Sequence, residues 1–177
     1  LWDSFDVAGR GDRFLAYSSP HYPNGDEGVI QIAGLARGRS WVTYRDEWPR
    51  IRDDIDAGSL SPIGLVQTDT LDIGKNHQVL VYGYEHSGQK VRLLIYDPNH
   101  PGLPCELSFN VTDTSGEVSV ARLPPDIKRI YCIFRMDGYA PNPSVGGWDR
   151  LAARPSAVKV RAADGATSLF VTGLDGK

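Results

Sequence analysis

Between Asn76 and Gly102 the chain reads NHQVLVYGYEHSGQKVRLLIYDPNHPG, two strongly apolar runs on either side of a short polar one. His77 to Tyr84 and Val91 to Tyr96 are rich in β-branched and aromatic residues, with apolar side chains on both faces. That pattern predicts two strands well inside a sheet. His86-Ser87-Gly88 between them predicts a hairpin with a three-residue loop whose glycine takes a left-handed conformation. If Glu85 closes on Gln89, Val81 faces Leu93, Val79 faces Ile95 and His77 faces Asp97, while Leu80 meets Leu94 and Tyr82 meets Arg92 on the other face. Directly opposed side chains have Cβ atoms about 4.5–5.5 Å apart, so a carboxylate at 97 would reach the imidazole at 77. A slip of one residue would carry Asp97 to the far face.

The rest of the pattern surrounds this hairpin. Residues 1 to 40 are rich in Gly, Asp and Ser and predict loops with one strand at Val29 to Ile32. YRDEWPRIRDDIDAG, residues 44 to 58, predicts a helix. Pro49 suits an early helical position, Ile51 and Ile55 share a face, and Gly58 is a natural stop. Its alternating Asp and Arg residues read as a solvated face. PIGLVQ, residues 62 to 67, predicts a strand, and the polar stretch Thr68 to Lys75 leads into His77. Glu106 to Thr112 and Glu117 to Leu123 predict a second hairpin around Asp113-Thr114-Ser115-Gly116, followed by a last strand from Ile127 to Met136. The expected class is therefore α+β, one helix followed by an antiparallel sheet of about five strands.

Composition narrows the choices of partner. A net charge of −3 with no basic run points away from nucleic acid. No apolar stretch reaches the roughly 20 residues a membrane helix needs. Cys105 and Cys132 leave the redox compartment open: they could pair if their strands are neighbours, and two buried thiols is the preferred reading. The chain opens on Leu1, which reads as the start of a fragment or a processed product.

The chemistry concentrates at the open end of the first hairpin. His77 against Asp97 is one half of a nucleophile–base–orienter arrangement. The plainer reading is a surface hydrogen bond at a strand end, since Asp97-Pro98-Asn99-His100-Pro101-Gly102 is strong turn chemistry. A metal site built from His77, Asp97 and His100 ranks below the pair, because direct opposition puts the first two in hydrogen-bond range of each other. The string NHQVLVYGY, followed by a strand running into YDPN, resembles the histidine hairpin of papain-like cysteine peptidases, in particular bacterial peptidase-like members. The resemblance covers about residues 40 to 140, and its central part is the specific one.

That resemblance implies a papain-like fold, of which residues 1 to 136 would be the sheet-bearing half. The helical half would carry a cysteine at a helix N-terminus, where the dipole stabilises a thiolate. Neither Cys105, which opens a strand, nor Cys132, in mid-strand, precedes the histidine as the family's cysteine does. Gln31 is the only glutamine before the helix, and no cysteine lies between it and His77. Two explanations stand: an upstream helical segment outside these 177 residues holds the glutamine and the cysteine, which is the preferred one, or the chain is a degenerate, non-catalytic relative. The implied activity is thiol-dependent cleavage of a peptide or other acyl substrate, without cofactor or metal. His77 would be the base, Asp97 its orienting partner and Asn99 a weaker alternative for that role. Asn76 and Gln78, by adjacency, would touch substrate.

Residues 137 to 147 read as a linker, and 148 to 177 as a hairpin with strands at Val158 to Ala162 and Ser168 to Thr172. The order W…PSAV…LFVTGLDGK is similar to one blade repeat of lectin-like or tectonin-like β-propellers. An ordinary hairpin explains the same residues. A propeller repeat would imply a glycan as partner and a rival function: a non-catalytic relative acting as a binding or carbohydrate-recognition module.

Overall fold

The computed structural model describes residues 10–25, 37–112, 114–125 and 128–137, together with the backbone of two strands at 156–161 and 167–172. The predicted strand at Val29 to Ile32 and nearly all of the 137–147 linker lie outside the described residues. The architecture is α+β: helices against a six-stranded antiparallel sheet that curls into a half-barrel, in the order β5-β4-β3-β2-β1-β6.

The first forty residues are not all loop. Arg10–Ser18 forms α1, whose signal is short: Phe14 and Tyr17 lie three apart and meet Phe134 with ring centroids at 4.8 and 5.5 Å. Tertiary packing fixes a helix too short to be stable alone. The predicted helix at 44 to 58 begins earlier and changes geometry on the way: α2 (Arg39–Trp41), a π-helical segment (Val42–Glu47) and α3 (Trp48–Asp56) run on without a break. Ile51 and Ile55 are buried as expected, and Gly58 follows the last turn at φ +77°. The polar face is not wholly solvated, however. Glu47 is 3% exposed, and Arg39 is buried with its guanidinium donating to the carbonyl oxygens of Tyr17 and Ser19, both at 2.8 Å. Arg39 thus ties the helix to the end of α1.

β1 (Ser61–Val66) is buried along its whole length and pairs with β2 (His77–Ser87) on one side and β6 (Cys132–Arg135) on the other. At Gly64 an added Cβ would stand 2.5 Å from the Phe134 ring and 2.8 Å from Phe14, so the absence of a side chain lets α1 approach the sheet. β3 (Lys90–Tyr96) and β4 (Cys105–Asn110) continue the sheet to β5 (Val120–Leu123). The second hairpin is thus more loosely joined than its sequence suggests, because pairing stops at Phe109 with Val120. The last strand begins at Cys132 and crosses to the opposite edge of the sheet.

The β2–β3 hairpin departs from the expected register. Ser87 pairs with Lys90 around a two-residue turn, Gly88-Gln89, with Gly88 at φ +59°. Both favoured two-residue turns need positive φ at that first position, which explains why the glycine is there. From the turn, Glu85 pairs with Arg92, Tyr84 with Leu93 and Gly83 with Leu94. Tyr82 is then left over, and the ladder resumes at Val81 with Ile95 and Leu80 with Tyr96. This β-bulge switches the side of β2 that faces the core, from Tyr84 to Val81 and Val79, while β3 alternates without interruption through Val91, Leu93 and Ile95.

One core cluster joins Trp48, Ile51 and Ile55 to Ile63, Leu65, Val79, Val81, Leu93 and Ile95. A second holds Phe14, Val42, Val66, Cys132, Phe134 and Met136. At the β6 edge, the N–H of Ile133 donates to Thr43 Oγ1 at 3.0 Å and that of Arg135 to Glu47 Oε2 at 2.8 Å. Side chains of the π-helical segment therefore take the hydrogen-bonding places along that strand. The tail contains the predicted hairpin: β7 (Ser156–Arg161) pairs antiparallel with β8 (Thr167–Thr172), and the backbone of β8 lies against β2.

Candidate functional site

His77 opens β2 opposite Leu65 of β1, and Asp97 follows the last residue of β3. Both continue the core-facing alternation of their strands, His77 after Val79 and Asp97 after Ile95. His77 Nε2 lies 2.8 Å from Asp97 Oδ1. The pair expected from sequence therefore forms, but diagonally rather than by direct opposition. Carried on unbroken from the turn, the ladder would have set His77 and Asp97 on opposite faces. The bulge at Tyr82 absorbs the odd residue and returns both to one side.

Asp97 is 1% exposed, so its charge depends on partners. Oδ1 accepts from His77 and from the backbone N–H of Asn99 at 2.9 Å, and Oδ2 accepts from Arg122 Nη2. Burial alone would raise the carboxyl pKa. The Asn99 N–H, His77 and the Arg122 cation outweigh it and hold the pKa below the ordinary value. With Nε2 committed to Asp97, the imidazole is fixed in orientation and Nδ1 has no hydrogen-bond partner among the described residues. The His77 side chain is 15% exposed, so this nitrogen belongs to a ring at the edge of solvent. A ring held in this way can accept a proton at Nδ1 and return it.

Arg122 is a site residue that the hairpin pattern does not reveal. Its signal lies in the alternation Val118-x-Val120-x-Arg122, which puts a charge on the side of β5 that faces the core. Arg122 pairs across the ladder with buried Leu107, its side chain is 5% exposed, and it reaches past β4 to the carboxylate on β3. An inward charge of this kind needs a counter-ion.

The other expected site residues have different surroundings. Asn76 accepts the Gln67 N–H at 2.9 Å through Oδ1 and donates to Ser18 Oγ at 2.9 Å through Nδ2, so it links the residue that follows β1 to the end of α1. Gln78 pairs with Gly64 and points to the face opposite His77. Asn99 is exposed and serves Asp97 through its backbone N–H. His100 lies in the turn after Asp97, its N–H donating to the Asp97 carbonyl at 3.0 Å. No group of three His, Cys, Asp or Glu side chains suited to a metal ion occurs among the described residues.

Cys105 and Cys132 are free, buried thiols on β4 and β6, which are not neighbours in the sheet. Burial, and then the nearby Asp97 charge, raise the Cys105 pKa, and burial pushes Cys132 up to about 12. Neither environment produces a thiolate near neutral pH. No helix among the described residues is long and apolar enough to cross a membrane. Comparisons with models of known protein families, with curated proteins and with solved structures gave no match.

Proposed function

We propose that this chain supplies the histidine–aspartate half of a papain-like thiol hydrolase, acting on a peptide or other acyl group. The observation that carries the reading is the His77 Nε2–Asp97 Oδ1 bond, made by a buried carboxylate that stays ionised. His77 Nδ1 takes the proton of a thiol, the imidazolium pairs with the thiolate, and the same nitrogen later protonates the leaving group. Asp97 keeps the ring in one orientation and stabilises its charged form. The two thiols of this chain are buried with raised pKa values, so the nucleophile comes from outside residues 1–177.

The test uses the full natural protein, after its mass and N-terminal sequence are known. Iodoacetamide at neutral pH should label one cysteine other than Cys105 and Cys132, and His77→Ala should slow that labelling at least tenfold. If the natural protein has no further cysteine, or labels at the same rate without His77, the hydrolase reading is wrong and the non-catalytic binding module takes its place.

A further inference from the structure

The His77–Asp97 pair has a third member that takes no part in the proton transfers of the proposed chemistry. Arg122 comes from β5, two strands away from Asp97, and reaches past β4 to Asp97 Oδ2. Its side chain is nearly buried, on the same side of the sheet as the carboxylate and the imidazole. Also beside them among the described residues is the Cys105 thiol on β4, which burial first, and then the Asp97 charge, holds in its neutral form. β1 presents only Leu65 opposite His77.

A carboxylate has two oxygens and a free rotation about its Cβ–Cγ bond. A ligand on one oxygen fixes where the other points. With Arg122 on Oδ2, and the Asn99 N–H sharing Oδ1 with His77, the carboxylate plane has no second setting. The electrostatic effect is separate. A bare buried carboxylate raises the proton affinity of a bonded imidazole strongly, whereas one already paired with a guanidinium raises it less.

We propose that Arg122 is a positioning residue for His77: it locks the Asp97 carboxylate onto Nε2 and moderates the imidazole's affinity for a proton. The value of that role for catalysis rests on the hydrolase reading above; the role itself can be measured without it.

The experiment is a titration of the histidine ring by nitrogen–proton NMR in the full natural protein, comparing wild type with Arg122→Met, Arg122→Gln, Arg122→Lys and Asp97→Asn. The wild-type ring should carry its neutral-form proton on Nε2. Relative to the wild-type titration curve, the His77 signals in Arg122→Met and Arg122→Gln should move to higher pH, those in Arg122→Lys back toward wild type, and those in Asp97→Asn to lower pH. A folded neutral variant whose His77 titrates as in wild type overturns the proposal. If neither neutral variant folds, Arg122→Lys decides. It keeps the charge but loses the guanidinium fork, so faster exchange of the Nε2 proton supports positioning and an unchanged rate overturns it. Thiol labelling is the independent readout. An unmoved titration with His77-dependent labelling removes Arg122 alone, whereas a shifted titration without such labelling removes the hydrolase reading and leaves Arg122 in place.

Discussion

Asp97 experiences two opposed influences: burial disfavours its charge, and three donors favour it. The donors prevail, and the folded carboxyl titrates below its ordinary value of 3.8. The direction for stability follows from linkage. An aspartate with a depressed folded pKa adds stability that is fully present above the unfolded value and disappears as pH falls through the folded one. Asp97→Asn removes that contribution and leaves Arg122 buried beside a neutral amide, at a cost of about 3–5 kcal/mol. Urea midpoints measured from neutral to acid pH should show the variant less stable at neutrality and less sensitive to acid; equal slopes would refute this assignment. Sequence made His77 and Asp97 visible because each ends an apolar strand within one hairpin, where spacing alone brings them close. Arg122 was harder to find, since its partner lies two strands away and no local pattern names it. Adjacency to His77 is the whole signal at Asn76 and Gln78, and in a strand it tells little about direction: neighbours point to opposite faces.

At the scale of elements, the contact expected between His77 and Asp97 forms through a register other than the expected one. A three-residue loop and a two-residue turn with one bulge differ by an even shift at the open end, so both leave His77 and Asp97 on one face. Pattern-based reading could not separate them, because Val79, Leu80, Val81 and Tyr82 are apolar on both sides. The bulge makes a sharp prediction. Deleting Tyr82 removes the unpaired residue and joins Val81 to Gly83 with every observed partner retained. The Nε2-bound proton signal of His77 should therefore survive in the deletion variant, though with a less curled strand. Deletion variants that lose it would show that the bulge's bend, and not only its parity, holds the site together. The helices were legible where their apolar face spans several turns, as at Ile51 and Ile55, and hidden in α1, where Phe14 and Tyr17 carry the signal.

Among the described residues the main sheet is open, and its strand order could not be foreseen from sequence neighbours. β6 joins β1 rather than β5, a long-range pairing with no local signature. An open sheet has edges, and an edge strand with unused N–H groups is a template for a strand from another molecule. Here Thr43 and Glu47 already bond the N–H groups of Ile133 and Arg135, so the helix stands where a seventh strand would add. Replacing both, as in Thr43→Val with Glu47→Leu, would strand two donors at about 1–3 kcal/mol each and open that edge. Light scattering should then show more concentration-dependent association in the variant than in wild type; equal behaviour would mean the edge is guarded some other way. The buried glutamate of an otherwise charged helix thus does more than anchor packing: with Thr43 it occupies backbone donors at the β6 edge that a strand from another molecule would otherwise use.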